Sequence, residues 1–169
     1  MITRRLTMDK FSNQILSLLT QDSRLTAAEL ASLTGRAEAE VKATIKALED
    51  DGVIVKYSLV LNTNKCKSDG VSALIEVKVT PQKSRGFDAI AEEIYRFDEV
   101  KSVYLMSGGF DLAVFVEGET LRDVAMFVSE KLSSIETVVS TATHFILKQY
   151  KSEGVVFEED EESRLCVQP

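Results

Sequence analysis

Val71-Ser-Ala-Leu-Ile-Glu-Val-Lys-Val79 decides how this chain is read. Val71, Ala73, Ile75, Val77 and Val79 alternate with Ser72, Leu74, Glu76, Lys78 and Thr80. Successive side chains of a strand point to opposite faces, so the pattern predicts a strand with one face more apolar, stopped at Pro81. Downstream, Phe87, Ile90, Ala91, Ile94 and Tyr95 carry helical spacing. Residues 100–107 read as a strand, Gly108-Gly109 as a turn and residues 110–117 as another strand. Leu121, Val124, Ala125, Val128 and Leu132 predict a second helix, and residues 138–150 a closing strand. The order βαββαβ is the ferredoxin-like split βαβ arrangement, so this half is α+β.

Upstream of Val71 the period is helical. Phe11, Ile15, Leu18 and Leu19 share one face, with Asp9 placed as an N-cap. Thr26-Ala-Ala-Glu29 is a capping box, flanked by Leu25 and Leu30 as a hydrophobic staple. The helix it opens ends at Thr34-Gly35. A third helix follows, with Val41, Ile45 and Leu48 inward and Gly52 closing it. Val53-Ile-Val-Lys-Tyr-Ser-Leu-Val-Leu61 is β-rich, either a strand or an extended hinge. The polar, turn-rich stretch Asn62-Thr-Asn-Lys-Cys-Lys-Ser-Asp-Gly70 suits a boundary. The expected division is a helix-turn-helix, winged-helix-like domain at 1–58, a hinge at 59–70, the βαββαβ domain at 71–151 and an acidic tail at 152–169.

The chain has 169 residues, 44% hydrophobic and 28% charged, which excludes disordered and collagen-like classes. No apolar run approaches the roughly 20 residues of a membrane helix. Arg4 and Arg5 are followed by no apolar core, so no secretory signal is expected. Cys66 and Cys166 are too few for a disulfide framework or a CxxC metal site, and a reduced cytoplasmic protein is expected. The formal charge of −7 is unevenly placed. Residues 1–58 carry 8 basic and 8 acidic side chains, residues 59–151 carry 11 and 13, and residues 152–169 carry 1 and 6. Glu158-Glu-Asp-Glu-Glu162 therefore holds much of the excess, and a like-charge block of this kind is usually a solvated end.

Three constellations are candidates for function. The helix–Gly–helix around Thr34-Gly35 can lay its second helix in a DNA major groove. That helix would present Glu38, Ala39, Lys42, Ala43 and Lys46, with Arg36 at its start and Arg4 and Arg5 on the arm before the first helix. The cations suit phosphates. Glu38 and Glu40 suit the helix dipole but repel DNA, and a plain three-helix packing unit stands beside the DNA reading. Ser107-Gly108-Gly109-Phe110-Asp111 is the second candidate. Adjacent glycines let a backbone approach a small ligand, and Asp111 can receive an ammonium group; the alternative is a hairpin whose glycines supply positive φ. His144, the single histidine, is the third, and nothing around it forms a nucleophilic arrangement. There is no Walker-type loop, GxGxxG or metal-ligand cluster, so no catalytic residue, metal or cofactor is expected.

The layout over residues about 7–151 resembles the Lrp/AsnC (feast/famine) family of transcription regulators. Asp9, Ile15-Leu16, Asp22-Ser-Arg24, Leu30, Gly35, Val41, Ile45, Leu48, Gly52-Val-Ile54 and Tyr57 are similar to its helix-turn-helix. Ser107-Gly-Gly-Phe-Asp111 is similar to the Ser-Gly-Asp-Phe-Asp turn of its ligand-sensing RAM domain, and Val138, Thr141 and Thr143 to its last strand. The resemblance implies a regulator of double-stranded DNA, with RAM domains pairing their sheets into a homodimer and dimers assembling into octamers or larger discs. It implies a small effector, usually an amino acid, near the glycine turn. The effector residues it implies are Gly108, Gly109, Phe110 and Asp111, with Leu105, Leu121, Thr141, Thr143 and His144 as secondary members. Three positions depart from the family pattern: Gly109 replaces an acidic residue, Ala37 replaces a Ser cap, and a Lys and Glu mixture replaces the arginines of the third helix. Two alternatives accompany this reading: a metabolite sensor acting through protein partners, and a sirohaem-decarboxylase-like enzyme sharing the two-domain plan.

Overall fold

The computed structural model describes residues 8–62, 65, 70–81 and 86–157. Arg4, Arg5, Cys66, Cys166 and the run Glu158–Glu162 lie outside the described residues. The chain divides into two compact units, Met1–Leu59 and Val60–Pro169.

The first unit contains α1 (Lys10–Gln21), α2 (Ala27–Thr34) and α3 (Glu38–Asp50). The starts of α1 and α2 are explained by their caps. Asp9 Oδ1 accepts from the Ser12 N–H at 2.7 Å, and that bond holds the Asp9 carboxyl below its ordinary range. Thr26 and Glu29 form the full capping box: the Thr26 N–H donates to Glu29 Oε2 at 2.8 Å, and the Glu29 N–H to Thr26 Oγ1 at 3.3 Å. Gly35 closes α2 at φ 67°, in the left-handed region where a side chain is strained. Ala37 gives α3 no side-chain cap. Between α1 and α2, Arg24 grips Asp22 through Nε and a terminal nitrogen at 3.0 and 2.9 Å, lowering the Asp22 carboxyl to about 2. Ile15, Leu19, Leu30, Val41 and Leu48 form the core, one or two from each helix. Residues 55–62 form no strand, so the β-rich stretch after Gly52 is an extended hinge. Tyr57 is tied to α3, its hydroxyl donating to Glu49 Oε1 at 2.9 Å.

The second unit runs β1 (Val71–Val79), α4 (Phe87–Tyr95), β2 (Val100–Leu105), β3 (Leu112–Gly118), α5 (Leu121–Met126) and β4 (Val138–Phe145). The sheet order is β2-β3-β1-β4 with antiparallel neighbours, the ferredoxin-like topology. Ala73, Ile75 and Val77 align with Val116, Val114 and Leu112 on one face. Ile90 and Ile94 of α4 and Val124 of α5 join them in a buried core, so the helices cover that face. The other face carries Leu74, Glu76, Tyr104, Ala113, Phe115 and His144, with Tyr104 and Phe115 edge to face at 5.9 Å.

Two elements differ from the sequence reading. The helix expected over residues 121–132 stays α-helical only to Met126; a π turn (Phe127–Lys131) and a 3₁₀ turn (Leu132–Ser134) follow. The π turn brings Phe127 into the core against the edge of Phe97, ring centroids 5.6 Å apart. Lys131, from the same turn, pairs with Glu99 and lowers its carboxyl. The closing strand is shorter than expected, and the stretch assigned to the tail begins with structure. β5 (Lys151–Ser152) and β6 (Val155–Val156) form a hairpin around Glu153 and Gly154, at φ 46° and 84°. Phe157 anchors it, being only 6% exposed. An apolar Val-Val-Phe run inside an acidic stretch explains why charge alone misplaced that boundary.

Candidate functional site

α3 presents two unlike flanks. Glu38, Lys42, Lys46 and Asp50 recur every fourth residue, so they form one inclined row on the helix surface. The row is internally paired: Lys42 Nζ lies 2.6 Å from Glu38 Oε1, and Lys46 Nζ 3.2 Å from Asp50 Oδ2. Ala39, Ala43 and Ala47 form the neighbouring exposed ridge, whose small side chains let another surface come close. Ala43 and Ala47 of that ridge, with Leu48, also line an open groove of about 440 Å³ between α1 and α3, together with Asp9, Glu40 and Asp51. These carboxylates repel phosphate. A nucleic acid is therefore better met by the Lys42 and Lys46 flank.

Arg36, at the start of α3, is exposed and has two neighbours. Its guanidinium lies 5.2 Å from the centre of the Phe11 ring, and it pairs with Glu40 Oε1 at 3.2 Å. The contact links α1 to the start of α3, and the side chain stays 54% exposed. The structure thus brings Glu38, Ala39, Lys42, Ala43 and Lys46 onto one exposed surface and holds Arg36 to the side. Glu40 and Asp50, which the sequence reading did not name as site members, are partners of two of the three cations. The i, i+4 rule was the signal that identifies them.

In the second unit, the turn between β2 and β3 is built around Asp111. The Met106 N–H donates to the Asp111 carbonyl at 2.8 Å, and the Asp111 N–H to the Val77 carbonyl at 3.0 Å. Asp111 Oδ2 accepts from the Val79 N–H at 2.9 Å. That contact falls where the β1–β4 register shifts between Lys78 and Val79. The side chain therefore supplies an acceptor where the ladder is interrupted. A carboxylate offers about four lone-pair sites, so the second oxygen keeps capacity for a cationic ligand.

Gly108 and Gly109 do not serve the hairpin in the expected way. Neither has positive φ, and a Cβ added at either meets nothing within 4 Å. Their effect is to leave an exposed, uncovered backbone beside Asp111. Phe110 is half-buried next to them. Leu105, at the end of β2, and Leu121, at the start of α5, are 61% and 57% exposed.

The three β4 residues do not converge. Thr141 aligns with Val77 and Thr143 with Ile75, on the helix-covered face. Thr141 and Asp111 thus flank Val77 from opposite sides of β1. His144 aligns with Leu74 on the open face, its Nε2 3.4 Å from Glu76 Oε1. Strand parity separates His144 from the threonines and from the glycine turn's end of the helix-covered face.

A three-helix unit with a Gly-turn helix pair, followed by an antiparallel α+β sheet domain, is the architecture of a helix-turn-helix protein carrying a ferredoxin-like second domain. A family model described as the Lrp/AsnC ligand binding domain matches residues 72–156, and one described as winged helix-turn-helix DNA-binding matches residues 8–55. The chain belongs to the Lrp/AsnC family of transcriptional regulators. It is 49% identical over 158 residues to the uncharacterized HTH-type transcriptional regulator YugG of Bacillus subtilis, covering 92% of this chain and 95% of that protein. It is 26% identical to a proline dehydrogenase transcriptional activator of Rhizobium radiobacter, covering 88% of this chain and 94% of that one. Among solved structures, a transcriptional regulator from Neisseria meningitidis in complex with L-Met superposes with a TM-score of 0.69 at 26% identity, covering 86% of this chain and 94% of that chain.

Proposed function

We propose that the chain is a cytoplasmic regulator that assembles at least as a homodimer, reads double-stranded DNA with α3 and binds an amino acid at the turn around Asp111. The observation that carries the effector site is the pairing of an anchored carboxylate with two glycines that the turn's own conformation does not require. The uncovered N–H groups suit an α-carboxylate and Asp111 suits the α-ammonium group. The L-Met complex of the Neisseria meningitidis relative supports the same ligand class. The open sheet face, with Leu74, Tyr104 and Phe115, suits a second copy, and octamers would be built from such dimers.

An effector changes DNA affinity only if it binds one assembly or domain arrangement better than another. Titration calorimetry with individual amino acids tests the site. Wild-type protein takes up one or a few of them, and Asp111→Asn weakens that binding by tenfold or more. No heat of binding with any amino acid overturns the effector reading.

The self-paired row on α3 favours one second reading, a sensor that acts through protein partners. Charge reversal at both Lys42 and Lys46 separates the two, because target-gene regulation survives it only in that second case. The relatives named as transcriptional regulators favour a regulator over a decarboxylase-like enzyme.

A further inference from the structure

We propose that the Glu38–Lys42 pair is the base-reading element of α3 and that it selects a C·G base pair with the cytosine facing Glu38. The proposal rests on the reading of α3 as the recognition helix and adds what that helix recognises.

Both side chains are exposed and one turn apart near the helix start, the part of a recognition helix that meets base edges. Glu38 cannot serve as a phosphate contact, because a carboxylate and a phosphate repel. Its acceptor oxygens need a base donor, and only cytosine N4 and adenine N6 offer one in the major groove. Adenine places its N7 acceptor next to that donor, facing the carboxylate's negative charge. Cytosine has no such acceptor on its major-groove edge, so cytosine is preferred. Lys42 carries three donors and no acceptor, which suits guanine O6 and N7. The two groups already sit side by side, 2.6 Å apart. A C·G pair presents the complementary arrangement, an amino donor beside guanine acceptors, within one base-pair step.

The surroundings favour this assignment. Ala39 and Ala43 stand beside the pair and carry no polar group that competes for the same edge. Arg36, at the helix start, lies off the Glu38–Lys42 row, beside the Phe11 ring and Glu40. An exposed ion pair contributes little to stability, so opening it toward a base costs the fold little. The pair also leaves this turn of the helix electrically neutral. Discrimination between bases then outweighs bulk attraction to phosphate there.

The test is selection of binding sites from a random duplex library by the full chain, with and without an amino-acid mixture. Wild type, Glu38→Gln and Lys42→Met are compared, and circular dichroism confirms that each is folded. The wild-type half-site is expected to hold one C·G pair, preferred over the other pairs by about tenfold or more. Glu38→Gln is expected to move that position toward adenine, which a glutamine amide reads through N6 and N7. Lys42→Met is expected to lose the preference there while keeping the rest of the motif. An unchanged motif with Glu38→Gln overturns the inference and leaves DNA reading intact. Loss of all enrichment by both folded variants also overturns it, because the pair would then be needed for binding generally. No enrichment by wild type under either condition overturns the DNA reading together with this inference.

Discussion

The two units of this chain hold themselves together over different distances. In the helical unit, the caps, the Asp22–Arg24 pair and the α3 ion pairs link residues two to four apart, while Tyr57–Glu49 and Arg36–Phe11 reach further. Among the described residues its core is five buried side chains. In the sheet unit the core has thirteen, and Asp111 stabilises a strand 32 residues away. The difference teaches where each unit is vulnerable. A unit of about 60 residues has a stability of only a few kcal/mol, so one core truncation is a large share of it. The larger sheet unit has more core to lose, and its weak point is the register at one end.

Leu30→Ala probes that contrast most strongly. Leu30 is fully buried among the three helices, and truncation is expected to cost about 2–5 kcal/mol. Hydrogen exchange should rise across α1–α3 while β1 and β3 stay protected, and DNA binding should be lost. Equal loss of protection in β1 and β3 would show that the two units are not separately vulnerable.

Asp111→Ala is the next largest. It leaves the part-buried Val79 N–H without its acceptor, at about 1–3 kcal/mol. Asp111→Asn keeps an acceptor oxygen. It should restore most of the melting temperature while still losing amino-acid affinity. That split separates the residue's part in the register from its part in the site.

Ala37→Ser supplies the cap that α3 lacks and should raise the stability of the helical unit by about 1 kcal/mol, read as the denaturation midpoint. The smallest expected effect is at Asp22. Its carboxyl titrates at about 2 when folded, below its ordinary 3.8, so the folded state holds it ionised. The contribution is complete above about pH 4 and is lost as pH falls toward 2. An NMR titration of Asp22 follows it, and Arg24→Ala should return the midpoint toward the ordinary value.

The same difference in distance decides how much of each unit could be read beforehand. Thr26-x-x-Glu29 and Gly35 name the start and end of α2 because a cap and a left-handed turn are local events. The element order of the sheet unit also follows from local patterns, since alternation and helical spacing give βαββαβ. The π turn escaped because Leu121, Val124, Val128 and Leu132 fit an unbroken helix equally well, and only packing against Phe97 brings Phe127 inward. The structural work of Asp111 escaped because its partner, Val79, lies in a strand far along the chain. The capture of Arg36 by Phe11 escaped for a similar reason, since the two belong to different helices. His144 is different. Its even number beside Thr141 and Thr143 already placed it on the other face of β4.

The central claim, that DNA affinity responds to an amino acid, is tested most directly by sequencing genomic DNA fragments retained by the purified protein with and without a pooled amino-acid mixture. The account predicts a retained palindromic site whose enrichment changes when the pool is added. Retention of no fragment in either condition, by a folded oligomer, would contradict it.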